Sequence, residues 1–269
     1  MEARVPSPIT MPMSIETASA EPAAAGVPGE LAPTGRLRVA VAVGPTASAV
    51  YAIRDYPGGP LRGVTVTLAE ALAAATGLPL DLVAFRSSGE IQAAAASGLW
   101  DVSFLPADDE RRRLVDFGAA YHILQSTYLV PAGSHIHRVA DADAAGVRIT
   151  GVRDSASLRA SQRAAPRATH LAVETPEDVV AMMHGGNADA IAMGREALAG
   201  LAPQIEGSQI LAEVFLTTCT AVAVPKGRPR ALACVAGFVE DAKACGLVRR
   251  AFDRLGLADV MVAPPGRVP

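Results

Sequence analysis

Residues 80–105 read LDLVAFRSSGEIQAAAASGLWDVSFL, and this stretch decides the fold. Leu80 to Phe85 is an apolar run of strand length. Ser87 stands three residues before Glu90, the capping-box spacing that opens a helix, and Gly98 closes that helix. Asp101 to Leu105 is another strand. Strands joined through a helix run parallel, because no tight hairpin connects them, so this unit belongs to a sheet covered by helices.

The same alternation extends outward in both directions. Towards the N-terminus, Leu37 to Val43 reads as a strand, followed by a Gly/Pro loop and a helix over Val64 to Thr76, with Leu68, Leu72 and Ala75 on one face before Gly77. Before Leu37, Pro6, Pro8, Pro12, Pro22, Pro28 and Pro33 interrupt any periodic burial, so residues 1–35 are expected to form a disordered tail. Towards the C-terminus a second α/β unit begins. Arg148 to Val152 is a strand, Ser155 caps a helix that stops near Pro166, and Thr169 to Val173 is a strand. Thr175 as N-cap, Pro176 at the first helical position and Asp178 behind it open a helix closed by Gly185-Gly186, and Ala188 to Met193 is the next strand. Thr127 to Pro131 and Thr217 to Pro225 are extended stretches between the units, and Pro229 to Leu255 reads as two helices.

A chain that leaves one α/β unit, builds another and returns crosses twice, which makes a hinge and a cleft. The expected fold class is therefore α/β with two lobes, each a mainly parallel sheet flanked by helices. Residues 36–126 with 219–256 form lobe one, 127–218 form lobe two, and 257–269 form an extended C-terminal tail.

Composition narrows the function. Half the residues are hydrophobic against 19% charged, which excludes disorder for most of the chain, and aromatics at 4% are too few for base-stacking platforms. The net charge of −3 provides no positive field for a phosphate backbone, so nucleic acid is not an expected partner. Arg111-Arg112-Arg113 directly follows Asp108, Asp109 and Glu110, which largely cancel its far field. Three cysteines, Cys219, Cys234 and Cys245, show neither a CxxC pair nor zinc spacing and read as small buried residues. His135-Ile136-His137 has no evident third ligand, and His170 and His184 belong to no constellation, so neither metal nor cofactor is expected. GxSxG, a Walker loop and GxGxxG are absent, which disfavours nucleotide chemistry. No run of about 18 apolar residues spans a bilayer. Residues 1–36 show no basic segment followed by an apolar stretch, so a secretory signal is not visible.

The order of these elements, with several local motifs, resembles the bacterial family 3 extracellular solute-binding proteins, the polar amino-acid receptors of ABC transporters. The likeness runs from about Leu37 to Leu257. It is carried by Leu37-Arg38-Val39, residues 63–72 (GVTVTLAEAL), 97–101 (SGLWD), 109–117 (DERRRLVDF), 127–131 (TYLVP), Gly151-Val152, Gly185 to Ala190 and 223–227 (AVPKG). The resemblance implies a type II periplasmic-binding-protein fold, a small-molecule ligand, an ABC transporter permease as partner, a monomer, and a periplasmic location. The missing signal leaves a cytoplasmic one open.

It also implies a site. The family's carboxylate-forking arginine, six residues before the phenylalanine of its DF motif, falls on Arg111, and a guanidinium fork suits a carboxylate. Read without the family, Arg111 is a solvated arginine on a short helix. Ser155, Ala156 and Ser157 match a helix-start loop whose free N–H groups favour an anion, and Ser155 equally reads as a plain N-cap. Tyr51 falls on an aromatic platform or on a surface loop, and Phe104 to Ala107, with Phe104 and Pro106, would line the lobe-one wall. Two departures bear on the ligand. The acidic pair usual before the first helix is Thr65 and Thr67, expected to affect only the start of that helix and surface charge. The amine-binding aspartate, counted from Asp189, falls on Gly194, between Met193 and Arg195. A desolvated ammonium without a counter-charge is costly, so the expected ligand is a small organic anion and not a standard α-amino acid, with Arg195 available for a second acidic group and Glu196 as a substitute for the aspartate.

Two other functions compete. An enzyme on the same scaffold, like cyclohexadienyl or prephenate dehydratases, needs a general acid in the cleft, for which His122 and Glu174 are the candidates; His122 also reads as a hinge or surface histidine. A cytoplasmic module that reports ligand closure to a partner is the third. The receptor reading has no catalytic residues.

Overall fold

The structure is a computed structural model that describes residues 27–43, 49–56 and 58–269. The chain runs through α1 (Val27–Leu31), β1 (Leu37–Ala42), a small hairpin of β2 (Ile53–Arg54) and β3 (Leu61–Arg62), α2 (Val64–Thr76), β4 (Leu80–Phe85), α3 (Ser88–Ala93), β5 (Val102–Pro106) and α4 (Asp109–Leu114). It then enters the long β6 (Val115–Val130) and builds β7 (Arg148–Val152), α5 (Ala156–Ala164), β8 (Thr169–Val173), α6 (Pro176–His184), β9 (Ala190–Gly194), α7 (Arg195–Leu201) and β10 (Gln209–Ile210). The return strand is β11 (Leu216–Pro225), followed by α8 (Pro229–Ala244) and α9 (Leu247–Asp253).

The strands form one nine-stranded sheet in the order β4-β1-β5-β11-β6-β9-β7-β8, with β10 on β6. Each end repeats one plan: β4-β1-β5 and β8-β7-β9 are parallel triplets whose central strand comes first in sequence. Between them β6 and β11 pair antiparallel from Leu216↔Ser126 to Pro225↔Val115, with register shifts around Ala221 that bend the ladder. The two extended crossings read from sequence are these strands, and hydrogen bonding runs unbroken through them.

Each triplet is pinned by the same side-chain device. Arg38 grips the buried Asp101 through Nε at 2.8 Å and Nη2 at 2.8 Å, and Arg148 grips Asp189 through Nε at 3.0 Å and Nη2 at 2.7 Å. The aspartate before the third strand of each unit is thus tied to the start of the first, and this bidentate fork holds the parallel register. Cores fill both faces. Leu37, Val39, Leu68, Val235 and Phe252 pack on one side of the first triplet, with Ile91, Trp100, Leu105 and Val115 on the other. Tyr128, Ile149 and Ala190 on one side and Leu129, Val179, Ile191 and Leu198 on the other do the same for the second.

Two expectations for the termini are corrected. The ordered chain begins before residue 36: Leu31 is buried in the main core, and Glu30 accepts hydrogen bonds from the backbone N–H of Arg230 and Ala231 at the start of α8. Residues 1–26 lie outside the described residues. The C-terminal stretch is extended, but it is part of the fold. Ile123 N–H donates to Met261, Ala263 N–H to Tyr121, and Ala120 N–H to Arg267, so residues 261–267 cover the edge of β6 that β9 does not reach.

Candidate ligand-binding site

In doubly wound sheets ligands sit beyond the carboxyl ends of the strands, where the strand order reverses. A cavity of about 120 Å³ lies there for both triplets at once. Ala42 and Pro106 bring the ends of β1 and β5, Val152 and Gly194 those of β7 and β9, and the first turns of α3, α5 and α7 close around them. The wall is mainly apolar, with hydroxyls from Ser87, Ser88, Ser155 and Ser157, the Tyr51 ring and the Glu196 carboxylate. Such a space suits a small organic solute.

Tyr51 is fixed by its backbone. Its carbonyl accepts from Thr65 Oγ1 at 2.9 Å, and Gly63, at φ 147°, leaves no room for a side chain, since a Cβ there would stand 2.0 Å from that carbonyl oxygen. Thr65 is therefore buried and anchors the cavity loop, which corrects its reading as a residue of the helix start alone. The Tyr51 phenol is hydrogen-bonded to Thr220, and burial pushes it up to about 12, so it is a neutral donor or acceptor.

Arg111 sits behind the wall, fully buried. Its Nε donates to Gln92 Oε1 at 3.2 Å, Nη1 to the Pro106 carbonyl at 2.8 Å, and Nη2 to Ser88 Oγ at 2.8 Å and the Asp154 carbonyl at 3.2 Å. Burial pulls the guanidinium down to about 10, partly offset by Asp108, so it stays charged at neutral pH. The reading of a solvated arginine is corrected: α4 is short, but Asp108 caps it by accepting from Arg111 N–H at 3.0 Å and turns this side chain inward. Asp108 Oδ2 also pairs with Arg159 on α5, and Arg159 Nη1 reaches the Asp154 carbonyl at 2.9 Å. Asp154, at φ 53°, holds the left-handed turn that points this carbonyl at both arginines. The two halves of the molecule are clasped here, closely enough that a Cβ on Gly89 would lie 2.9 Å from Asp154 Cβ.

The opposite wall carries a carboxylate that accepts no hydrogen bond among the described residues. A Cβ on Gly194 would come within 2.9 Å of Leu124 Cδ1, the tip of a side chain that would have to shift, and 3.7 Å of Glu196 Oε2, so Glu196 occupies the space beside position 194. Glu196 Oε1 lies 3.5 Å from His122 Nε2, and His122 Nδ1 is 3.2 Å from Thr220 Oγ1. His122 is wholly buried and its Nε2 makes no hydrogen bond, as is also true of the Tyr121 hydroxyl, whose pKa burial raises well above its usual value. His122 lies on β6, and the surface reading is corrected because it is buried between β11, the strand-like bridge at Val262 and the Phe252 ring of α9. Glu174 is exposed, pairs with Arg153 at 2.7 Å, and stands outside the cavity.

Of the residues expected at the site, Tyr51, Pro106, Ser155, Ala156 and Ser157 line the cavity, and Arg111 lies directly behind it. Ser155 Oγ caps α5 by accepting from Leu158 N–H at 3.1 Å, and among the described residues the amides of Ala156 and Ser157 have no partner. Two assignments are corrected. Strand alternation turns Phe104 into the main core, edge-on to Tyr121 at 5.6 Å. Arg195 turns outward and donates to the Leu211 and Ala212 carbonyls at 3.1 and 2.8 Å, since its neighbour Glu196 takes the inward face of the first turn of α7. Ser88, Gln92 and Arg159 were not legible as site residues, because only the tertiary fold brings them to Arg111 or to its partner Asp108, whereas Asp108 is local to Arg111 as the N-cap of α4.

Among the described residues no group of three or more His, Cys, Asp or Glu side chains could hold a metal, and no helix is long and apolar enough to cross a membrane. His135 and His137 stand exposed on either side of the buried Ile136.

The sequence pattern of bacterial extracellular solute-binding proteins, family 3, matches residues 40–256. The chain belongs to that family. It is thus a solute-binding protein of the kind that serves ABC transporters, with the type II periplasmic-binding-protein fold. Solved structures agree on the fold. An ancestral amino-acid-binding protein, described as a precursor of cyclohexadienyl dehydratase, superposes with TM-score 0.73 at 23% identity, over 84% of this chain and 97% of that one. A mutant of the arginine-binding protein of T. maritima gives 0.74 at 17%, over 84% and 97%. A substrate-binding protein of an amino-acid ABC transporter from Streptococcus pneumoniae, bound to L-arginine, gives 0.73 at 19%, over 86% and 98%. No curated protein sequence matches the chain.

Proposed function

We propose that this solute-binding protein closes residues 36–126 with 219–256 against residues 127–218 on one small ligand that carries both a carboxylate and a protonated nitrogen, and delivers it as a monomer to an ABC permease outside the cytoplasm. The observation that supports this most is the Glu196 carboxylate facing a cavity that is also lined by Ala156 and Ser157, whose amides have no partner among the described residues. The ligand carboxylate takes those amides, at the positive end of α5, together with the Arg111 Nη2 donor now shared with the Asp154 carbonyl. The ammonium takes Glu196.

The expectation of an anion without an ammonium rested on the absence of a counter-charge at Gly194. Glu196 removes that ground: its carboxylate stands beside the empty side-chain position at 194. The amino acids named with the related structures, arginine, glutamine and lysine, point the same way. Calorimetry against L-amino acids, amines lacking the carboxylate and organic acids lacking the amine tests it. The amino acid binds and each truncated analogue loses at least about tenfold, one charge-assisted hydrogen bond. Binding of dicarboxylates with no response to any amino acid would overturn it.

One observation favours a second reading, an enzyme: His122 and Glu196 set a titratable pair against the cavity. Formation of an aromatic product with loss of CO2 from prephenate or arogenate would favour that reading over the receptor.

A further inference from the structure

The buried His122 uses one ring nitrogen on Thr220, and its other, which makes no hydrogen bond among the described residues, faces the Glu196 carboxylate at the cavity. His122 rides on β6, in the half that carries Arg111, while Glu196 rides on α7 in the other half. The groups around the imidazole are Thr220 from β11, Glu196 from α7, Tyr51 and Tyr121 with phenols that burial keeps neutral, and the Phe252 ring of α9, over which Arg249 lies at 5.4 Å. Arg111 acts on this cluster through Tyr51. Glu196 is thus the only anion beside His122 among the described residues.

We infer that His122 is a positioning residue that controls, by its protonation, whether Glu196 is available to a ligand cation. This rests on the reading of Glu196 given above. Neutral His122 keeps Nδ1 on Thr220 and leaves the carboxylate to the ligand. Protonated His122 donates from Nε2 to Glu196 across the cleft, satisfies it from within the chain, and repels the incoming ammonium. The proton and the ligand cation therefore compete for one carboxylate, and by linkage ligand binding expels a proton from the imidazole. The consequence is a receptor that holds its solute less tightly in acid.

Two measurements on the full chain test this. In the first, the imidazole Cε1–H signals are titrated by NMR without ligand, and the His122 signal is identified by its loss in H122Q. The pH response of that signal changes in E196Q, as expected when an opposite charge within reach is removed. An unchanged pH response overturns the inference, whatever the ligand proves to be. In the second, L-glutamine is the probe, because neither of its charges changes between pH 5.5 and 7.5. Its affinity for the natural chain weakens by about tenfold on acidification, an ordinary coupling between two sites. The profile becomes flat in H122Q, and the binding enthalpy near the midpoint depends on the buffer. Binding that is equally tight at both pH values in the natural chain overturns the inference and leaves the proposed function standing. Failure of L-glutamine and other amino acids to bind at either pH counts against the proposed function, and the NMR titration still decides the role of His122.

Discussion

The wall of the cavity built by β5 and α4 and the wall built by β9 and α7 each bring one charge inside, and they treat it in opposite ways. Arg111 makes four hydrogen bonds to its own chain, to Gln92, Pro106, Ser88 and Asp154. Glu196 makes none among the described residues and has only His122 at 3.5 Å. A charge whose donors are satisfied from within holds structure together, because removing it strands several buried acceptors. A charge left facing a cavity is held in reserve for a guest, because only a guest can complete its solvation. Family position singled out the first of these residues, and the proposed function gives the second the greater say in specificity.

The largest effect should come from breaking the first wall. Arg111→Ala strands the Gln92, Pro106 and Ser88 oxygens in the interior, with Asp108 and the Asp154 carbonyl left to Arg159, and should lower stability by about 3–5 kcal/mol, measured by urea unfolding. Lysine at 111 should not restore it, since one ammonium cannot reproduce a fork spread over both halves. The second wall should respond differently. Glu196→Gln should leave the unfolding curve nearly unchanged and weaken an amino-acid ligand by about 10- to 100-fold in calorimetry, the loss of one charge-assisted hydrogen bond. If Arg111→Ala proves stable while Glu196→Gln unfolds, the contrast between the walls is reversed.

A smaller effect sharpens the clasp between them. Burial alone would raise the carboxyl of Asp108, but Arg111, the backbone N–H it accepts and Arg159 outweigh burial and hold its pKa below the usual carboxylate range. The stability it contributes is therefore complete above the ordinary carboxylate pKa and is lost as pH falls through the depressed folded value. Asp108→Asn should flatten this acid limb by about 1 kcal/mol, read from urea unfolding at pH 7 and at pH 3. The smallest effect belongs to a residue that the structure takes off the site. Phe104→Leu should cost less than about 1.5 kcal/mol of stability and leave ligand affinity unchanged, because Phe104 faces Tyr121 in the core.

How much of this was legible depended on whether a feature is local. Arg148–Val152 and Thr169–Val173 coincide with the strands read from sequence, and the Thr175–Pro176–Asp178 start of α6 is a complete capping box, because strand runs and caps are decided by neighbours within a few residues. Phe104 shows the limit of such reasoning. An apolar strand buried on both faces carries no alternation to say which side chain meets the cavity. Arg195 and Glu196 show it again, since two adjacent charges at the start of a helix point in different directions and only the packing of α7 chooses between them.

From its residues alone the chain determined two α/β units and two crossings between them, while the arginine that looks into the gap came from the family resemblance. The units and crossings follow from periodicity and caps, which need no partner far along the chain. Only the tertiary structure decided that Arg111 is already engaged, that Glu196 stands beside the bare position 194, and that His122 on β6 meets Glu196 on α7. Those contacts join residues as many as 74 positions apart, and whether a charge is satisfied or left open depends on what the folded chain carries to it.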